Sequence, residues 1–280
     1  APDADPENPW RYKFTWNPRN VVLAGQGTAK FLQDGKFKYI PYQQLFSRTT
    51  PIHVPDFGEY EGYANRDSLK YVAAYGLQDC KTVLRGTLRN KGYCSAWNLL
   101  VQLGCCDDSY EMEGVDGLTH RGFMASFLET NEPVEETICS RFNISIRGEE
   151  MKRLRWSGLF TDEKIGVAKG TPAQLLEHIL HKKWKLKAGD KDFIVMWHRF
   201  NYTLGGNEKE IQAWLTATGE DGTQTAMAKT VGLPLAIACK LLLTGKITRR
   251  GVVIPLQPEM YEPILDELKG LGIELKEKTR

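Results

Sequence analysis

Three stretches carry side chains able to hold an anion. In "LRGTLR" (84–89), an extended backbone would project Arg85, Thr87 and Arg89 from one face, with neighbours about 7 Å apart. Two guanidinium forks separated by a hydroxyl suit a ligand with several carboxylates; the plainer reading of the same spacing is a solvated strand face. In "GYANRDSLKYVAAYG" (62–76), Asp67 or Ser68 can cap a helix whose apolar stripe is Leu69, Val72 and Ala73 and which stops at Gly76. Arg66 then sits just outside that helix start, where a guanidinium and free N–H groups together receive a carboxylate. The third stretch, "VVLAGQGTAKFLQDGK" (21–36), has the apolar run and paired glycines of a nucleotide-binding turn. The dinucleotide fingerprint also requires a third Gly or Ala and an acid about 20 residues on. Position 30 is Lys, and no acid lies near the end of the following strand. Asn17-Pro18 instead marks a helix start, entered from an extended segment and continuing through Val21, Val22 and Ala24 before loosening at the glycines.

Other chemistry is sparse. His178 and His181 have no third ligand at useful spacing, so no metal site is expected. There is no nucleophile elbow, Walker loop or zinc framework, and no residue stands out as a catalytic acid or base. His198, in "MWHRF", reads as a core or interface residue. The six cysteines include no C-x-x-C pair and read as reduced thiols. The opening "APDADPENPW" lacks the basic and apolar regions of a secretory signal, so a cytoplasmic location is expected and the sequons at Asn143 and Asn201 are chance matches. A net charge of +2 gives no reason to expect nucleic acid or an anionic membrane as partner. The basic "HKKWKLK" (181–187) suits the C-terminal end of a helix. "TVGLPLAIACKLLL" contains Gly232, Pro234 and Lys240, and its charge-free run over 230–239 falls short of a membrane span.

These side chains need elements to position them. "YKFTW" (12–16) and "FKYI" (37–40) read as strands, and "FIVMWHRFNY" (193–202) joins "IQAWLTAT" (211–218) as a hairpin. Between about 91 and 188 the apolar residues recur three or four apart, in "GYCSAWNLLVQLG", "RGFMASFLE", "VEETICSRFN", "EEMKRLRWSG" and "TPAQLLEHILHKKW". The 280 residues have room for two domains, and 41% hydrophobic with 26% charged residues is ordinary globular composition. The expected class is α+β: a mixed, largely antiparallel sheet domain interrupted by an inserted all-helical subdomain. Residues 1–90 and 191–218 would build the sheet domain, and 91–190 the insertion.

Several motifs, in order and from about residue 10, carry a resemblance: "FTWNPRNVVLAGQGTAKF", "GYANRDSLKY", "VLRGTLR", "TAMAKTVGLPLAIACKLLLTGKI", "GVVIP" and "MYEPILDELKGLGI". The chain resembles the saccharopine dehydrogenases of the NADP-dependent, L-glutamate-forming type. That resemblance implies an oxidoreductase of lysine metabolism, interconverting saccharopine with glutamate plus 2-aminoadipate 6-semialdehyde, with a nucleotide-binding domain ahead of a substrate-binding and homodimer-forming sheet domain. It implies that this chain is a piece lacking most of the NADP domain and inactive alone, with 219–280 built to pack on the missing part. It assigns substrate contacts to Arg66, Thr87, Leu88 and Arg89 and a cofactor contact to Asn17, where many members of the family have Ser. Alternatives are a sister enzyme, such as a carboxynorspermidine or lysine dehydrogenase, and a non-catalytic dimerisation or ligand-sensing module.

Overall fold

The computed structural model describes residues 5–129 and 132–279. It is α+β, every pair of named strands is antiparallel, and the chain divides into two compact units, residues 6–185 and 186–280.

The first unit opens with an irregular segment, not the strand expected over 12–16. Phe14 alone bridges Lys185, its N–H donating to the Trp184 carbonyl at 2.7 Å. The reason lies in the side chains. Trp10, Tyr12 and Phe14 all turn into an aromatic cluster with Tyr93 and Trp184, which seats the segment against a helix end, where Phe14 meets the Lys185 cap instead of a strand edge. The Trp10 indole donates to Arg153 O and Ser157 Oγ, both at 2.9 Å, which pins the segment to the helices.

Helix α1 (Pro18–Val22) begins as expected, with Asn17 Oδ1 accepting the Arg19 N–H at 2.9 Å, but it stops before Ala24. Gly25 follows at φ +85°, and a Cβ there would lie 2.2 Å from Leu45 Cδ2. This glycine lets the backbone pass over a core leucine; it is not a phosphate turn. Strands β1 (Ala29–Gln33) and β2 (Lys36–Ile40) form a hairpin, the second containing the expected 37–40. One turn, α2 (Tyr42–Leu45), leads to a sheet of β3 (Thr50–Val54), β4 (Gly58–Ala64) and β5 (Gly86–Asn90), in that order. Between β4 and β5 lies the short α3 (Lys70–Ala74).

Five helices follow: α4 (Tyr93–Leu103), α5 (His120–Ala125), α6 (Val134–Phe142), α7 (Glu149–Trp156) and α8 (Pro172–Trp184). Each contains part of an apolar run read from the sequence. Helix α8 starts with a capping box between Thr171 and Gln174 and ends in His181, Lys182 and Lys183, as its basic tail suggested. Salt bridging of Arg19 to Asp108, which also accepts from Thr171 Oγ1 at 2.7 Å, ties α1 to the start of α8.

In the second unit β6 (Phe193–Leu204) and β7 (Asn207–Thr218) form the expected hairpin, but the strands run on to a two-residue turn, Gly205-Gly206, at φ +60° and +81°. Two positive φ angles require glycine-like residues and match the right-handed strand twist. Strand β8 (Lys276–Thr279) adds to β7; its charged sequence offered no strand pattern, and pairing with a ready edge supplies what alternation does not. His198 is on the exposed part of β6, not in the core, with its ring stacked beside Phe200 at 6.0 Å between centroids. Helices α9 (Ala226–Leu243) and α10 (Pro258–Gly270) share a small core of Ile237, Leu241, Ile247, Ile264 and Leu268. Another face of α9 is bare: Val231 is 62%, Leu235 66% and Leu243 89% exposed. Among the described residues it is the one helix long and apolar enough to cross a membrane by length and composition.

Candidate substrate-binding site

The β4–β5 register pairs Glu61 with Arg89 and Tyr63 with Thr87, so strand alternation puts these four side chains on one face. Leu88 faces the other way. A Cβ on Gly62 would lie 3.0 Å from Ile52 Cγ1 and 3.5 Å from Leu88 Cδ2, which marks the apolar side of the sheet. Toward the Arg89 face, Leu88 offers its backbone.

Arg89 is the unusual member. Its guanidinium carbon lies 4.9 Å from the Tyr12 ring centroid and 5.1 Å from that of Tyr93. Among the described residues it has no ion pair; its one hydrogen bond is long, Nη1 to Leu88 O at 3.4 Å, and Nε is buried with no partner. Glu61 stands directly across the ladder, yet both its oxygens are committed elsewhere. Oε1 accepts the Gly92 N–H at 2.8 Å and Oε2 the Cys94 N–H at 3.0 Å, capping the start of α4, where Gly92 brings no side chain of its own. Burial pulls the Arg89 pKa down, but the surrounding oxygens of Tyr63, Tyr93 and Tyr12 and the Cys94 sulfur outweigh it, and the net shift is upward. Burial also raises Tyr93 and Tyr12, with the Arg89 cation pulling the other way. Arg89 is therefore a fixed positive charge stacked between phenol rings, with no carboxylate of the described residues paired to it, since the Glu61 carboxylate across the ladder is held by other donors.

Arg66 lies beyond the end of β4. It adopts φ +53°, its carbonyl accepts the Lys30 N–H at 2.8 Å, and its exposed guanidinium has no partner among the described residues. Asp67 Oδ1 accepts the Leu69 N–H at 3.0 Å, one turn ahead of the helix, while the N-cap of α3 is Leu69, without the side-chain cap expected of Asp67 or Ser68; α3 spans five residues and contributes little dipole. Arg85 leads into β5, with Asn65 N–H donating to its carbonyl at 2.8 Å. Its guanidinium sits 5.2 Å from the Tyr71 ring centroid and bonds the Tyr71 hydroxyl. Arg66 and Arg89 thus occupy opposite ends of the β4–β5 pair, with Arg85 and Arg89 four residues apart, about 13 Å along a strand, and Thr87 between. The structure brings Thr87 and Arg89 together and leaves Arg66 with no shared hydrogen-bond partner. Asn17 is exposed, its Oδ1 used by the helix cap.

Sequence reasoning missed Tyr12, Tyr63, Tyr93 and Glu61. The alternation in "GEYEGYA" was a strand signal that could have drawn attention to Glu61 and Tyr63. Tyr12 was hidden by reading its segment as a strand.

Residues 1–273 match the family model described as Saccharopine dehydrogenase C-terminal domain. The chain belongs to that family. The saccharopine dehydrogenase (NADP(+), L-glutamate-forming) of Pyricularia oryzae is 31% identical over 291 residues, covering 100% of this chain and 64% of the relative. The mitochondrial alpha-aminoadipic semialdehyde synthase of Bos taurus is 34% identical over 283 residues, 98% of this chain and 30% of the relative. Among solved structures, apo histidine-tagged saccharopine dehydrogenase (L-Glu forming) from Saccharomyces cerevisiae superposes with a TM-score of 0.88 at 30% identity, covering 100% of this chain and 64% of that one. The chain therefore spans less than two thirds of these family members' own length. The name of the Pyricularia oryzae relative specifies NADP(+). Among the described residues the paired glycines come after a helix and before a strand, the reverse of a dinucleotide cradle, so these glycines do not fit that cofactor.

Proposed function

We propose that this chain is the substrate-binding portion of an NADP-dependent oxidoreductase of lysine metabolism that interconverts saccharopine with glutamate plus 2-aminoadipate 6-semialdehyde. The observation that carries the reading is Arg89, a caged guanidinium with no counter-ion, beside the Thr87 hydroxyl. Holding such a charge unpaired is costly, and a bound carboxylate would relieve that cost. In this reading Arg89 and Thr87 receive one acid group, the Leu88 backbone lines the strand, and Arg66 takes a carboxylate at the far end of an elongated adduct. These residues bind and orient; the hydride chemistry belongs to the nucleotide, held by a part of the protein outside this sequence, with Asn17 as this chain's contribution to that contact.

The bare face of α9 supports the accompanying proposal that 219–280 packs against that nucleotide-binding part. Exposed Met196, Phe200, Tyr202 and Leu204, alternating along one face of β6, support homodimerisation. Cytoplasmic location is part of the proposal; cell fractionation that finds the protein in mitochondria, where the cattle relative's name places it, would count against it.

Calorimetric titration with saccharopine tests the central reading. Arg89→Ala is expected to weaken binding by about 1.5–3 kcal/mol, the range for a hydrogen bond to a charged group. Equal affinity in the two proteins would remove Arg89 from the site. Purified chain mixed with saccharopine and NADP is expected to show no turnover, and a rate matching an intact enzyme would contradict the division of labour.

A further inference from the structure

The proposed role of Arg89 leaves a physical question: what holds its side chain in one orientation? Arginine loses much rotamer freedom when ordered, and here one long hydrogen bond is the only polar restraint. The remaining restraint is aromatic. Tyr93 is one wall, and it is fixed by the core: it is fully buried and stacks on Trp97 at 5.7 Å with the rings 16° from parallel. Tyr12 is the other wall, set edge-on to Tyr93 at 5.6 Å and 72°. Unlike Tyr93 it is only partly buried, and it comes from the irregular segment that runs on through Trp16 to Asn17.

We propose that Tyr12 is a positioning residue for Arg89, its ring face holding the guanidinium plane so that the unbonded N–H groups stay directed at an incoming carboxylate. The inference rests on the substrate reading above and adds a residue to it. Two rings set nearly at right angles leave a planar cation few orientations, and a neutral ring does so without supplying the negative charge that would compete with the ligand. An acidic residue in the place of Tyr12 would order Arg89 equally well and silence it. The location has a second consequence: the wall belongs to the same short segment as Asn17, so the geometry at the substrate arginine depends on how that segment is seated.

The test compares Tyr12→Leu, Tyr12→Phe and Arg89→Ala in the 280-residue chain, using saccharopine titration and the ¹⁵N-detected Arg89 Nε–H signal, assigned by its loss in Arg89→Ala. Tyr12→Leu is expected to weaken saccharopine binding roughly tenfold, the effect of losing a desolvated cation–π contact, and to collapse the Nε–H signal into the averaged arginine envelope. Tyr12→Phe keeps the ring and is expected to stay within roughly threefold of the parent with the signal retained. Should Tyr12→Leu fail to fold, Tyr12→Gln, suited to a partly exposed site, replaces it with the same expectation. Parent-like affinity and an ordered Nε–H in the Leu or Gln variant would overturn the inference, as would a Phe variant as weak as Leu. Arg89→Ala separates the two layers. If it weakens binding while the Tyr12 variants do not, only the positioning role falls; if it leaves affinity unchanged, the substrate reading falls and takes this inference with it.

Discussion

Replacing Glu61 tests whether the β4 carboxylate serves the start of α4 instead of neutralising Arg89. Its two oxygens accept the Gly92 and Cys94 N–H groups at 2.8 and 3.0 Å, and α4 carries Tyr93, Trp97 and Leu100 into the main core. In Glu61→Ala both donors lose their partner. Gly92 is partly exposed, so water can replace the carboxylate there at about 0.5–1 kcal/mol. Cys94 is buried, and its orphaned N–H costs about 1–3 kcal/mol. Loss of a partly buried negative charge at a helix N-terminus adds roughly 0.3–1 kcal/mol. The expected total is about 2–5 kcal/mol. Glu61→Gln keeps one acceptor without the charge and should cost about half as much. Urea unfolding followed by tryptophan fluorescence would give the free energies, and hydrogen exchange at the Cys94 amide would show whether the loss is local to α4. A Glu61→Ala protein within about 0.5 kcal/mol of the parent, with Cys94 still protected, would refute the capping assignment and return Glu61 to Arg89 as its counter-ion.

Arg89→Met should change stability by about 1 kcal/mol or less, because stacking lost on two rings is offset by relief of an unbonded Nε; a loss of about 3–5 kcal/mol, measured by the same urea titration, would mean that Arg89 belongs to an ion pair. Burial pushes the Cys106 thiol up to about 12, and burial likewise raises Cys94 and Cys105. The folded state then keeps protons that the unfolded chain releases above its ordinary thiol range, so this stability is whole below about pH 8.5 and declines as pH rises, for Cys106 until about 12. Each thiol contributes about 1.4 kcal/mol per pH unit in that window, and Cys106→Ala should show a correspondingly shallower decline between pH 9 and 10.5. Of the six cysteines, Cys80 and Cys239 are exposed and should react at once with a disulfide reagent in native protein, while Cys94, Cys105 and Cys106 wait for unfolding; immediate reaction of the latter three would contradict the packing of α4 and the loop after it. Gly25→Ala should cost more than about 1 kcal/mol by calorimetry, since the new Cβ meets Leu45 at a positive φ.

Much of the molecule is local in origin and was legible as such. The helix start at Asn17-Pro18, the basic end of α8 and the double-glycine hairpin turn are short-range chemistry, settled by residues within four positions of one another. The same is true of the ordered motifs that identify the family and of the helical period between 91 and 188. Strands β1, β3 and β8 were not legible, because half-exposed and charged strands lack clean alternation and exist through a neighbouring edge, whereas the alternation of β4 was there to read. Arg66, Thr87 and Arg89 could be picked out by residue type, and the shared face of Thr87 and Arg89 follows from a two-residue period. What spacing could not reveal was the state of those charges. Glu61 is turned away from Arg89 by two N–H groups some thirty positions later in the chain, and Tyr12 and Tyr93 reach the guanidinium from separate elements. Local sequence decided which groups were available and which turns and helices would form. Only tertiary contact decided which arginine would be buried without a counter-ion, because the burial and pairing of a charge depend on what packs around it across the whole unit.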